Sequence, residues 1–143
     1  MANTQAMCTS FKTEVLNGIH ALGTTVIRAG TGADTIKAAL YLASATVNAA
    51  TTAYSATGEV SGTGYTAGGV TATNATAPTS SGTTAYWTPS ASFTYTTVTL
   101  ATSFDCVLLY NSTQANKSIS AHTFGAQTIT AGTFVLSMPA NDA

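Results

Sequence analysis

Beyond Gly23 the chain reads as short runs rich in Val, Thr, Tyr and Phe, each cut off by a cluster of Gly, Asn, Ser or Pro. Such runs fit a pleated, half-buried surface. The breaks between them, such as Gly30-Thr31-Gly32, Pro78 to Gly82 and Asn111-Ser112-Thr113, supply turn chemistry. Strands are expected over Thr24–Ala29, Thr35–Leu42, Val70–Thr73, Thr83–Trp87, Phe93–Leu100, Asp105–Tyr110, Lys117–Phe124 and Gln127–Met138. Within the second, Ile36, Ala38, Leu40 and Leu42 point one way, Lys37 and Tyr41 the other. Cys106 to Tyr110 is apolar without alternation, as a central strand would be. Ala131-Gly132 inside the last run fits either a bulged strand or a tight hairpin. Closely punctuated strands without intervening helices predict an antiparallel β-sandwich or jelly-roll-like fold.

One helix precedes them. Cys8, Phe11, Val15, Ile19 and Leu22 recur at helical spacing, and Lys12, Thr13, Glu14 and Asn17 fall opposite. The expectation is an amphipathic α-helix over residues 4–22, capped by Asn3 or Thr4 and stopped by Gly23. With 143 residues, the chain predicts one β-rich domain: helix 4–22, then a β-sandwich over 24–138.

Charge narrows the function. Only 6% of residues are charged, against about 25% in ordinary soluble domains. Four Lys and Arg against five Asp and Glu cannot cover a phosphate backbone or an anionic membrane, so neither nucleic acid nor membrane is an expected partner. The 45% hydrophobic fraction argues against disorder. Cys8 and Cys106 lie among apolar neighbours and read as buried free thiols. The N-terminus lacks the cationic and apolar regions of a signal peptide, and no run has the length of a membrane span.

The stretch Glu59 to Thr71, EVSGTGYTAGGVT, invites a phosphate-cradle reading. No Gly-Lys-Ser or Gly-Lys-Thr follows it, and the next residues read as strand rather than helix. It is better understood as a turn-rich connection whose glycines supply positive φ, with Tyr65 packing its ring on a neighbouring strand. No cofactor and no metal site is expected. His20 and His122 share no zinc-type spacing, and no two acids lie in one short motif. A Ser-His-Asp triad can be drawn from His122, Asp105 and one of many serines, but no Gly-x-Ser-x-Gly supports it, so no catalytic residue is assigned. Asp34 and Asp105 stand at expected strand starts, where carboxylates cap turns. Trp87, with Tyr86, Tyr65 and Tyr95, could form a sugar-binding patch, although one Trp ending a strand also serves as a lid on a core.

Several segments together resemble a group of small tailed-bacteriophage virion proteins of about this length. They are Ser10-Phe11-Lys12, Leu16 to His20, Asp34 to Tyr41, the block Tyr54 to Gly69, Tyr110 to Thr113 with Asn116, and His122 to Gly125. The likeness spans nearly the whole chain, and Glu59 to Gly69 is its most specific part. The family's pattern runs a little beyond Asn141 to Ala143, which implies a short further C-terminal piece. The resemblance implies a non-enzymatic virion structural protein. Low charge and short side chains suit a capsid decoration or cement protein on the outer head surface. Such a protein would bind the major capsid protein or other virion proteins and self-associate into a symmetric oligomer such as a trimer. A tail, neck or fibre-base component, or a virion-surface carbohydrate-binding module, are the alternatives. Partner contact is expected through exposed Lys12, Glu14 and His20 and through the loop bearing Glu59 and Tyr65. The Glu59 carboxylate could accept hydrogen bonds from a partner or from its own turn, and the sequence leaves both roles open.

Overall fold

The computed structural model describes residues 2–16, 18–22, 33–72, 79–81, 84–87 and 92–138. The protein is mainly β. Five strands form one antiparallel sheet: β1 (Ala6–Met7), β2 (Ile36–Leu42), β3 (Val70–Thr71), β6 (Phe93–Asn111) and β7 (Lys117–Leu136), in the order β1-β7-β6-β2-β3. A separate pair, β4 (Thr79–Ser81) and β5 (Thr84–Tyr86), completes the described strands. The expected strand Thr24–Ala29 lies outside the described residues.

The helix is shorter than its periodicity predicts. α1 covers Thr9–Leu16 instead of residues 4–22. Before it, Ala6 and Met7 pair with Ala121 and Ser120 of β7, and Thr4 donates its N–H to Val47, so the chain there is extended. Asn3 caps nothing. Its amide joins Leu42 O and Asp105 Oδ1, and its Oδ1 accepts from Val47 N at 2.8 Å. The stop is Gly18, at φ 67°, five residues earlier than Gly23. Ile19 N donates to Glu14 O and Gly18 N to Val15 O, the paired bonds of a Schellman cap. Past that cap, helical spacing no longer says which way a side chain points. Even inside α1 the spacing fails at one position: Val15, predicted on the apolar face, is 46% exposed.

The two long strands each absorb two predicted ones. Phe93–Leu100 and Asp105–Tyr110 run together as β6, which places Asp105 inside a strand rather than at its start. Lys117–Phe124 and Gln127–Met138 merge into β7, and Ala131-Gly132 is a bulge with Ala131 at φ 47°, not a hairpin. The β6–β7 hairpin also doubles back. Phe124 and Phe134 sit ten positions apart, about 33 Å along a straight strand, yet their ring centroids are 5.2 Å apart, with Phe104 against both. Tyr95 Oη donates to Ala38 O at 2.8 Å although Ala38 pairs with Leu109. Four register shifts between Tyr95 and Cys106 and the left-handed Thr97, φ 52°, make the bend.

The core centres on β2 and β6. β2 and the stretch Phe104 to Tyr110 are almost wholly buried. As expected for a central strand, β6 lies between β7 and β2. The predicted alternation of β2 fails because both of its faces are covered: Tyr41 is buried and donates to Ser55 O in the 43–69 connection. Cys8 and Cys106 are buried free thiols, and burial pushes Cys106 up to about 12.

Candidate functional site

Two polar clusters stand out among the described residues. The first is the glycine-rich loop. Leu42 N donates to Gly58 O and Val60 N to Leu40 O, which lays the loop along β2 and presents Glu59 beside it. The Glu59 carboxylate accepts three hydrogen bonds, from Tyr54 Oη at 2.6 Å, Tyr65 Oη at 2.7 Å and the buried Gly68 N at 2.7 Å. Tyr65 Oη also accepts from Leu40 N at 3.0 Å, and Tyr110 Oη donates to Gly68 O at 2.8 Å. Tyr54 stacks on Tyr110 with centroids 4.6 Å apart, and Tyr65 lies parallel to Tyr95 at 6.0 Å. Five of the six tyrosines surround this carboxylate. Burial first, and then the Glu59 charge or hydrogen bond, raises Tyr54, Tyr65, Tyr95 and Tyr110 above the ordinary phenol range. Tyr41, also affected, is pushed up to about 12. These phenols stay protonated and donate.

The loop closes through Gly69, at φ 71°, where a Cβ would come within 1.7 Å of Ala38 O. Only glycine fits that approach. The loop is thus a strand-to-strand connection bound to its own sheet, and the Gly68 bond is the turn-satisfying role for Glu59.

The second cluster ties the N-terminal segment to the hairpin. Glu14 Oε1 accepts from Lys117 Nζ at 2.7 Å, and Glu14 Oε2 lies 2.8 Å from His20 Nε2. Asn111 Nδ2 reaches His20 Nδ1 at 2.9 Å and donates to Asp34 Oδ2 at 2.7 Å. An amide donor on Nδ1 assigns the ring proton to Nε2, facing Glu14. Asp34 further accepts from Ala21 N and Gln114 Nε2. Burial would raise the Glu14 carboxyl, but the Lys117 and His20 hydrogen bonds outweigh it and hold it below the usual carboxylate range.

This geometry corrects the predicted contact residues. Glu14 is only 8% exposed and the His20 side chain is fully covered, so neither is available to a partner. The Schellman turn folds His20 back onto α1, against Phe11 at 4.8 Å and Glu14, where a continuous helix would have carried it outward. Lys12 is exposed as expected. Tyr65 is half-buried, with its hydroxyl spent within the chain. Of the aromatic patch, Tyr95 is buried, Trp87 packs partly against the core, and the Tyr86 side chain lies outside the described residues.

Nor are the triad residues drawn from sequence assembled. His122 Nε2 contacts Ser120 Oγ at 2.9 Å, and burial lowers its pKa, but Asp105 bonds to Asn3 instead. Among the described residues no group of three His, Cys, Asp or Glu could hold a metal ion, and no helix is long and apolar enough to cross a membrane.

Sequence reasoning missed the Glu14–Lys117 pair, which spans 103 positions and leaves no local pattern. It did single out Tyr54 to Gly69, where aromatic residues flank one acid. Comparison with protein-family models, curated proteins and solved structures found no match.

Proposed function

We propose that the chain is a non-enzymatic structural protein of a bacteriophage virion, and within it a decoration or cement protein on the outer head surface. The observation that carries this reading is the surface of the bent hairpin. From Thr94 to Ser103 and from Thr123 to Leu136 there is no Asp, Glu, Lys, Arg or His, and most exposed positions are Thr, Ser, Ala or Gly. Short side chains lose little entropy when a partner covers them, and a neutral surface spends nothing on desolvating charge. The internally satisfied Glu59 loop keeps that scaffold stiff, and the doubled-back hairpin supplies the second layer of a sandwich-like domain. The resemblance over Tyr54 to Gly69 points the same way.

Lys12 and the neighbouring exposed apolar side chains Met7 and Val15 are the contact residues we assign to the N-terminal segment. The major capsid protein, or another virion protein, is the partner. Many weak copies on a repeating lattice are retained through avidity.

Quantitative mass spectrometry of purified virions tests the proposal. A simple ratio of this chain to the major capsid protein is expected. A handful of copies per particle would move the protein to the tail, neck or fibre base, and its absence from particles would overturn the virion role.

A further inference from the structure

The two outer edges of the bent hairpin are treated differently. The β6 edge is closed by the glycine loop. Thr99 N donates to Thr63 O at 2.9 Å, and Cβ atoms on Gly62 and Gly64 would come within 2.0 Å of Thr99 O and 2.4 Å of Thr97 O. Ala43 N adds a bond to Ser103 O. Among the described residues, the β7 edge is covered only at its beginning. Tyr54, Thr52, Cys8 and β1 bond to it in turn from Asn116 to Ala121. Beyond Ala121 no described residue pairs with that edge.

Open edges are ordinarily guarded by lysine, proline, inward-pointing charge or bulges. Thr123 to Leu136, TFGAQTITAGTFVL, has no such side chain, and its bulge at Ala131-Gly132 stops short of the last residues. Its end is regular: Tyr95↔Phe134, Thr94↔Val135 and Phe93↔Leu136 follow without a shift. Val135 stands there 49% exposed.

We propose that this edge joins two copies of the chain, strand to strand and antiparallel, about a twofold axis near Phe134, which sets Thr133 of one copy opposite Val135 of the other. The argument for a second copy is charge. The edge is neutral and the whole chain carries a formal net charge of −1, so copies approach with little repulsion. Thr and Val are side chains that pair favourably across strands. A twofold contact is self-complementary and closes, so the exposed edge ends in a dimer rather than a fibre. The inference deepens the self-association expected from the sequence, but it does not depend on virion membership, which copy number tests separately.

Sedimentation of the purified chain over a concentration series gives the test, with Thr133→Lys as the edge variant and Thr57→Lys, on an exposed loop, as the charge control. The wild type and Thr57→Lys should dimerise. Thr133→Lys should weaken the dimer by about tenfold or more while keeping its near-ultraviolet circular dichroism. A chain that stays monomeric to roughly 100 μM, a threshold far weaker than functional affinities, would overturn the proposal. So would a trimer, or a dimer indifferent to Thr133→Lys. Should that variant not fold, amide exchange on the wild type decides: protection of Gly132 to Leu136 must rise with concentration, and its constancy refutes the edge contact.

Discussion

Removing the Glu59 carboxylate separates a folding role from a binding role. Glu59→Ala strands three donors at once: Tyr54 Oη, Tyr65 Oη and Gly68 N. Gly68 is buried, so its N–H bears most of the desolvation cost, about 1–3 kcal/mol for an unsatisfied group. Tyr54 and Tyr65 are half-buried, and water can recover part of each lost bond, which leaves about 1 kcal/mol apiece. The sum is about 3–5 kcal/mol, a drop in Tm of roughly 10–20 °C for a domain of this size. Glu59→Gln keeps one oxygen for Gly68 N and should cost about half as much. Tyr54→Phe and Glu59→Ala should be non-additive, with a coupling of about 1 kcal/mol in a double-mutant cycle, because they delete the same bond. Thermal and urea unfolding of the four variants is the assay. A loss below about 1 kcal/mol for Glu59→Ala would refute the reasoning, since it would mean the three donors find water freely. The carboxylate would then be available to a partner.

Gly69→Ala should cost more than about 3 kcal/mol or block folding, because its Cβ would meet backbone at 1.7 Å, whereas Gly18→Ala, at a similar positive φ in open space, should cost about 1 kcal/mol; chemical denaturation of both separates crowding from φ strain. Stability against pH should fall off on both sides of neutrality. The His122 pKa is lowered by burial, so its contribution is complete above 6.5 and is lost as acid drives the pH down through its folded value. The lowered Glu14 carboxyl adds a second loss that begins below about 4.5, and Glu14→Gln should flatten that limb. The raised Cys106 and Tyr41 work in the opposite sense, retaining full stability below 9.0 and 10.0 respectively and losing it as the pH rises toward about 12.

How much of this was legible in the sequence depended on distance along the chain. Most strand positions among the described residues, the central character of Cys106 to Tyr110, the buried thiols and the turn role of Glu59 to Gly69 follow from local composition, because strand propensity and positive φ are properties of a few neighbouring residues. Gly18 was a readable stop as well: it carries the same C-cap chemistry as Gly23, but the apolar spacing through Ile19 and Leu22 outweighed it. What no local pattern held was the partner of each polar side chain. Glu14 and His20 look solvent-facing on a helical wheel and are buried only because Lys117 and Asn111 arrive from the hairpin.

The doubling-back of β6 and β7 was likewise decided by tertiary contacts. A bulge shows in sequence only as an ambiguous Ala-Gly, while the direction of the bend is set by Phe104, Phe124 and Phe134 meeting across it. By itself, then, the amino-acid sequence determined a neutral, β-rich chain with short side chains and a tyrosine-flanked acid. Only the fold decided which charges are buried, which hairpin edge the glycine loop covers and which edge no described residue covers, because those outcomes depend on segments brought together from far apart in the chain.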